Sequence, residues 1–224
     1  MPSTGLPTIL LVPGAFGKPA GFDPLLPYLE EAGFTTHPGP YPSCDPVDPT
    51  VATCEADIAS LRMAGGAAED LDKETRKEQG HVTGVTGLIY VAGNITLEGE
   101  SLLQAPSEGL AVIEPAMSVL YNDCDPALEP ELAKQMKPHA LQAFATAASA
   151  PAWKDGGFNG KRAYIRTLKD CCNPSWLQDS WIEKSEVQWE VIDFDTGYMP
   201  FISQPKELAE TIMRLSYGFA DNLR

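Results

Sequence analysis

Apolar positions along this chain gather into four short runs separated by amphipathic and proline-rich stretches. Residues 8–12 (T-I-L-L-V) are apolar almost without a break, and Pro13-Gly14 stops the run. Continuous rather than alternating hydrophobicity predicts a strand covered on both faces, as in a parallel sheet. A helix is expected next. Asp23-Pro24 offers an N-cap and a first-turn proline, Phe22, Leu25, Leu26 and Leu29 recur at helical spacing, and Gly33 closes the end. Residues 88–92 (L-I-Y-V-A) predict a second buried strand, 163–167 (A-Y-I-R-T) a third and 187–194 a fourth.

The intervening stretches read as helix or loop. Residues 55–62 predict a short helix, 71–79 a charged and mostly exposed one, and the proline-rich 35–50 a poor strand at best. Residues 95–150 hold no apolar run of the buried-strand kind. They carry alanine-rich helical pieces such as 140–148, divided by prolines at 106, 115, 126, 130 and 138. Such an insertion is either a helical cap over a pocket or a set of ordinary crossover helices. A last helix begins near Pro205, with one apolar stripe of Leu208, Ile212 and Leu215. Strands alternating with helices predict an α/β fold, a mostly parallel sheet with helices on both faces. The length of 224 residues suits one domain over 1–224, with 95–150 as a helical lid insertion.

Composition narrows the partners. The 43% hydrophobic content is enough for a sizeable core, and the net charge of −15 argues against nucleic acid or an anionic membrane. No run approaches the roughly 20 apolar residues of a membrane span. The N-terminal M-P-S-T-G-L-P has no positive charge, so a cytoplasmic location is expected. Five cysteines, at 44, 54, 124, 171 and 172, show no C-x-x-C or zinc spacing. They read as reduced thiols, Cys171 and Cys172 as core or turn residues, and no metal or cofactor is expected.

Three motifs carry the chemistry. The opening run ends in L-V-P-G-A-F (11–16). Residues 164–178 read Y-I-R-T-L-K-D-C-C-N-P-S-W-L-Q, and 197–205 read G-Y-M-P-F-I-S-Q-P. With Y-N-D (121–123) and A-W-K (152–154), they resemble in order and spacing the small α/β-hydrolases that include plant hydroxynitrile lyases, salicylate-type esterases and fungal relatives. The resemblance covers nearly the whole chain. It implies an oxyanion turn at Gly14, Ala15 and Phe16, with Pro13 where many members have histidine. It places Asp170 in the acid slot and Tyr198 in the slot of the catalytic histidine.

Such an enzyme needs a nucleophile, a base that takes its proton, an acid that orients the base, and N–H donors aimed at the oxyanion. A phenol, with a reference pKa of about 10 against about 6.5 for imidazole, cannot replace the base near neutral pH. No G-x-S-x-G is present. If Gly65-Gly66 is the tail of that turn, Met63 holds the serine slot and Leu61 the first glycine slot. The stretch after 55–62 leaves no room for a strand of about five residues. A contiguous block is therefore expected to be missing, the central strand and nucleophile turn included. Strands 8–12 and 88–92 should then pair directly, or the chain be disordered there. A central strand built from 51–70 would overturn this.

His37, His81 and His139 are the only histidines. None falls in a base slot, and each reads as a surface or packing residue. Tyr198 is expected to fill the imidazole's space and hydrogen-bond Asp170, which otherwise reads as a turn aspartate. The function expected is that of a pseudo-hydrolase, keeping an esterase-like pocket without hydrolysis, with a small apolar or aromatic molecule as partner. The alternatives are an active ester hydrolase with relocated catalytic residues and a truncated or mis-spliced product of one.

Overall fold

A computed structural model describes residues 6–39, 42–64, 77–78, 84–103 and 109–221. The first run forms β1 (Ile9–Leu11), paired in parallel with β2 (Thr36–Pro38). Between them lie a 3-10 turn at Pro19–Phe22 and α1 (Leu26–Glu31). This helix starts later than its Asp23-Pro24 signal implies. Pro27 sits in its first turn, where a missing N–H costs nothing. Gly33, at φ +89°, ends α1 in the left-handed region that glycine adopts freely. The next helix, α2 (Cys54–Ala64), covers the expected 55–62. Most of the expected 71–79 helix, Gly65-Gly66 and His81 lie outside the described residues.

The later runs build one sheet. β3 (Leu88–Val91) opens it. Residues 95–150 then contribute β4 (Leu110–Ala111), α3 (Ala116–Val119), α4 (Glu129–Gln135), β5 (His139–Ala140) and α5 (Leu141–Ala145). After them come β6 (Arg162–Thr167), α6 (Ser175–Lys184), β7 (Glu190–Phe194), α7 (Pro200–Ser203) and α8 (Pro205–Asp221). β3, β6 and β7 are parallel in the order β3-β6-β7. β6 is the middle strand, and its Ala163, Tyr164 and Ile165 are fully buried.

Alternation sorts the side chains onto two faces. Ile89, Val91 and Ile165 face a cluster with Leu25 and Leu29 of the α1 region and Leu208, Ala209 and Ile212 of α8. Leu88, Tyr90 and Tyr164 face Ile95, Trp153, Trp181 and Trp189. The sheet is thus covered on both faces, as the continuous apolar runs required. Gly87 admits the last helix closely, since a Cβ there would lie 2.1 Å from the Phe219 ring.

β1 and β3 do not pair with each other, and β1-β2 stands as a separate two-stranded sheet. Direct closure of the two strands, expected above, does not occur. Both still reach one core, because Ile9 and Leu11 pack in the same cluster as Ile89, Val91 and Ile165. Among the described residues of 51–70 there is a helix to Ala64 and no strand.

The 95–150 segment holds two strands that the hydrophobic pattern did not announce. β4 pairs antiparallel with β5, and a further bridge joins Cys44 to His139. Two-residue strands are too short to carry a period. Leu120, Tyr121, Cys124 and Leu132 of this segment pack on Met199, beside Tyr198. Among the described residues no helix is long and apolar enough to cross a membrane.

Candidate functional site

Asp170 follows the end of β6. It is buried and accepts hydrogen bonds from the Thr167 hydroxyl at 2.8 Å and the N–H groups of Cys172 and Asn173 at 2.8 and 2.7 Å. Gln178 on α6 locks this loop. Its Oε1 accepts from Thr167 N, and its Nε2 donates to the carbonyls of Thr167 and Asn173. Asn173 Nδ2 then donates to Ala92 O, at the end of β3. Burial pushes the Asp170 carboxyl up. Its hydrogen bonds pull the other way, and the nearby Asp123 charge adds to the rise.

Tyr198 lies between β7 and α7. Its hydroxyl sits over Gly14, where a Cβ would stand 2.9 Å from the phenol oxygen. Burial raises the phenol's pKa, with smaller contributions from Cys172 and Asp170. The hydrogen bond expected from Tyr198 to Asp170 is not formed, because the carboxylate's partners come from its own loop. Residues 121–123 hold both loops together. Asn122 Nδ2 donates to Lys169 O at 2.9 Å, and Asp123 Oδ2 accepts from Gly197 N at 2.8 Å. The contact is tight: a Cβ on Gly197 would lie 2.4 Å from Asn122 Oδ1.

The turn at residues 14–16 faces this region. Gly17 N donates to Gly14 O, and Phe16 takes φ +68°, unusual for a residue with a side chain. Phe16 O accepts from Lys137 N at 3.0 Å, and its ring lies against His139 and Phe144. Gly14 and Tyr198 are therefore in contact, with Asp170 close enough to act on the phenol electrostatically, while Phe16 turns toward the 95–150 segment.

That segment completes a second polar cluster. Ser43 Oγ lies 2.5 Å from Asp57 Oδ2 and 3.0 Å from His139 Nε2, and Ser43 N donates to Asp57 Oδ1 at 2.9 Å. All three residues are buried, Ser43 completely. His139 is not a surface residue. It stacks on Phe144 with centroids 4.8 Å apart, and its Nδ1 is buried without a partner. Burial lowers the imidazole's pKa, with the Asp57 charge opposing.

A serine, a histidine and an aspartate are thus hydrogen-bonded, but in a non-catalytic order. The hydroxyl proton goes to Asp57, so Ser43 Oγ accepts from His139 Nε2–H. A catalytic base needs the reverse, an imidazole lone pair receiving the hydroxyl proton. Sequence reasoning did not single out Ser43 or Asp57. They are 14 residues apart in a loop and a helix's first turn, and no motif joins them.

Among the described residues no group of three or more His, Cys, Asp and Glu side chains could hold a metal. One groove of about 340 Å³ is lined by Met117, Tyr121, Asn122 and Cys124, and another of about 630 Å³ by Asn94, Glu100, Trp181 and Lys184. Neither includes Asp170, Tyr198 or residues 14–16.

No protein-family model matches the sequence, and no curated protein matches it. Solved structures do match. A pyrethroid hydrolase from Sphingobium faniae superposes with a TM-score of 0.70 at 20% identity, over 96% of this chain and 98% of that one. A methylesterase from Arabidopsis gives 0.72 at 17%, over 93% and 98%. Polyneuridine aldehyde esterase gives 0.68 at 16%, over 94% and 100%.

Proposed function

We propose that the protein, whose fold is that of the α/β-hydrolases with esterases among its structural neighbours, is a pseudo-hydrolase. It keeps the esterase-like scaffold and a lid at 95–150, binds a small apolar or aromatic molecule, and does not hydrolyse esters. One observation carries this reading. The Tyr198 hydroxyl is pressed against Gly14, so a phenol fills the space between the oxyanion turn and the place of the base. Asp170 supports it, since its carboxylate is taken up by Thr167, Cys172 and Asn173 and, among the described residues, orients no imidazole.

The second reading, a hydrolase with relocated residues, draws on the Ser43–His139 contact. Two facts weigh against it. Ser43 is fully buried, and its proton is committed to Asp57.

Turnover of p-nitrophenyl acetate separates the readings. The expected result is no rate above buffer, for the native chain and for Asp170→Asn and Ser43→Ala. Robust hydrolysis that Asp170→Asn abolishes in a folded protein would overturn the pseudo-hydrolase reading. Hydrolysis that only Ser43→Ala abolishes would establish the relocated site. Ligand binding is checked by thermal shift with small aromatic acids, since a ligand of the native state must raise apparent stability.

A further inference from the structure

The Ser43–Asp57–His139 cluster joins two parts of the chain that are far apart in sequence. Ser43 and Asp57 belong to the loop after β2 and to α2, while His139 belongs to the 95–150 segment. Around it, Ala140 N donates to Ser43 O at 2.9 Å and Asp45 N to Pro138 O at 2.8 Å. We propose that this cluster is a proton-operated latch, closing the 95–150 segment on the body while His139 is neutral and releasing it when His139 is protonated. The proposal rests on reading that segment as a lid.

The bonding order sets the chemistry. Neutral His139 donates from Nε2 to Ser43, and Ser43 donates to Asp57. The nitrogen left to take a proton is Nδ1, which is buried without an acceptor. A proton there creates a charged N–H with nothing to receive it, on a ring stacked against Phe144 with Phe16 at its edge.

The surrounding charges do not remove that cost. Asp57 on α2 is the nearest negative group, but the Ser43 hydroxyl lies between them. In the loop after β2, Asp45 is held by Lys18 and Lys137. Burial pushes the neighbouring thiols of Cys44 and Cys54 up, which keeps both neutral. Phe16 and Phe144 bring no charge. Moving the segment away rehydrates the imidazole.

The sign follows from linkage. The folded-state pKa of His139 is lowered from its unfolded value of about 6.5, so the closed form binds fewer protons than the open one. The latch is therefore intact above about pH 6.5 and weakens as pH falls below it. Release reaches the candidate site, because Lys137 N and the His139 and Phe144 rings all hold Phe16 at the end of the 14–16 turn.

Amide hydrogen exchange on the full chain, corrected for intrinsic rates, tests this. From pH 7.5 to 5, protection of the Ala140 and Asp45 amides should fall by up to about tenfold per pH unit, the slope of a one-proton linkage. Amides of β6 should not change. His139→Gln can still donate to Ser43 but cannot titrate, and should keep the protection while losing its pH dependence. Protection independent of pH in the native chain, or an equal dependence in His139→Gln, would overturn the latch. If that variant does not fold, NMR titration of the native His139 ring decides. Titration at or above about pH 6.5 without loss of protection rejects the proposal, and titration below it with parallel loss supports it. Absence of esterase activity bears only on the pseudo-hydrolase reading, so the two can fail separately.

Discussion

Two polar clusters in this molecule invert each other. Around Asp170 stand the residues that the motif resemblance assigns to the acid and histidine slots, yet no hydrogen bond joins Asp170 to Tyr198. Around Ser43 a serine, a histidine and an aspartate are joined at 2.5 and 3.0 Å, yet Ser43 is completely buried and its proton goes to the carboxylate. One cluster has the motif's order without the connection, and the other has the connection without access to solvent. The clusters also differ in where they spend their hydrogen bonds. Asp170 secures its own loop, whereas Asp57 and Ser43 fasten distant segments together.

That difference predicts unequal costs for removing each aspartate. Asp57→Ala leaves the N–H and hydroxyl of a fully buried serine without their acceptor, and should cost about 2–4 kcal/mol. Asp170→Ala frees the N–H groups of half-buried Cys172 and Asn173, which water can reach, and leaves one donor, the hydroxyl of fully buried Thr167, without its acceptor. It also removes a carboxyl whose raised pKa marks its ionised form as costly to bury. About 1–2 kcal/mol is expected. Urea unfolding at pH 7.5 measures both. Equal or reversed costs would mean that the Ser43 cluster does not bridge the two segments.

A smaller effect probes the contact at the heart of the proposed site. Gly14→Ala puts a methyl 2.9 Å from the Tyr198 oxygen and should cost about 1–2 kcal/mol. In a Tyr198→Phe background the opposing atom is gone and most of the cost should vanish, a coupling of about 1 kcal/mol. Additive costs would show that the phenol does not fill the space over Gly14.

The parallel sheet was legible because buried strands carry continuous apolar runs, and 88–92, 163–167 and 187–194 fall on β3, β6 and β7. The terminal helix was legible through its single apolar stripe. The α1 start was misplaced because two prolines compete for the first turn, and Pro27 holds it. β1 and β3 were expected to pair directly, or the chain to be disordered there, because the sequence leaves no room for a central strand between them. They instead share side-chain packing without sharing a ladder. The Gly14–Tyr198 contact was not anticipated, although both residues lie in the resembling motifs. The Asp170–Tyr198 hydrogen bond was anticipated and is not formed, because the nearby N–H groups of Cys172 and Asn173 and the Thr167 hydroxyl take the carboxylate. The Ser43 cluster was invisible because it depends on β5, a two-residue strand that brings His139 beside Cys44.

The smallest expected effect is the most diagnostic for the proposed function. Tyr198→Phe removes a hydroxyl that takes no part in holding Asp170 and leaves no group without a partner. It should change stability by less than about 0.5 kcal/mol. Ser43→Ala deletes a hydroxyl of similar size but strands the Asp57 oxygen and the His139 Nε2–H, and should cost about 1–3 kcal/mol. Thermal unfolding of the two single variants at pH 7.5 compares them directly. A Tyr198→Phe cost as large as that of Ser43→Ala would show that the phenol is hydrogen-bonded in solution. Cys172 and Asp170 are the groups within its electrostatic reach, and a bond to Asp170 would make Tyr198 hold the carboxylate as an imidazole does. A negligible cost leaves Tyr198 as a space-filling group, which is what the pseudo-hydrolase proposal requires.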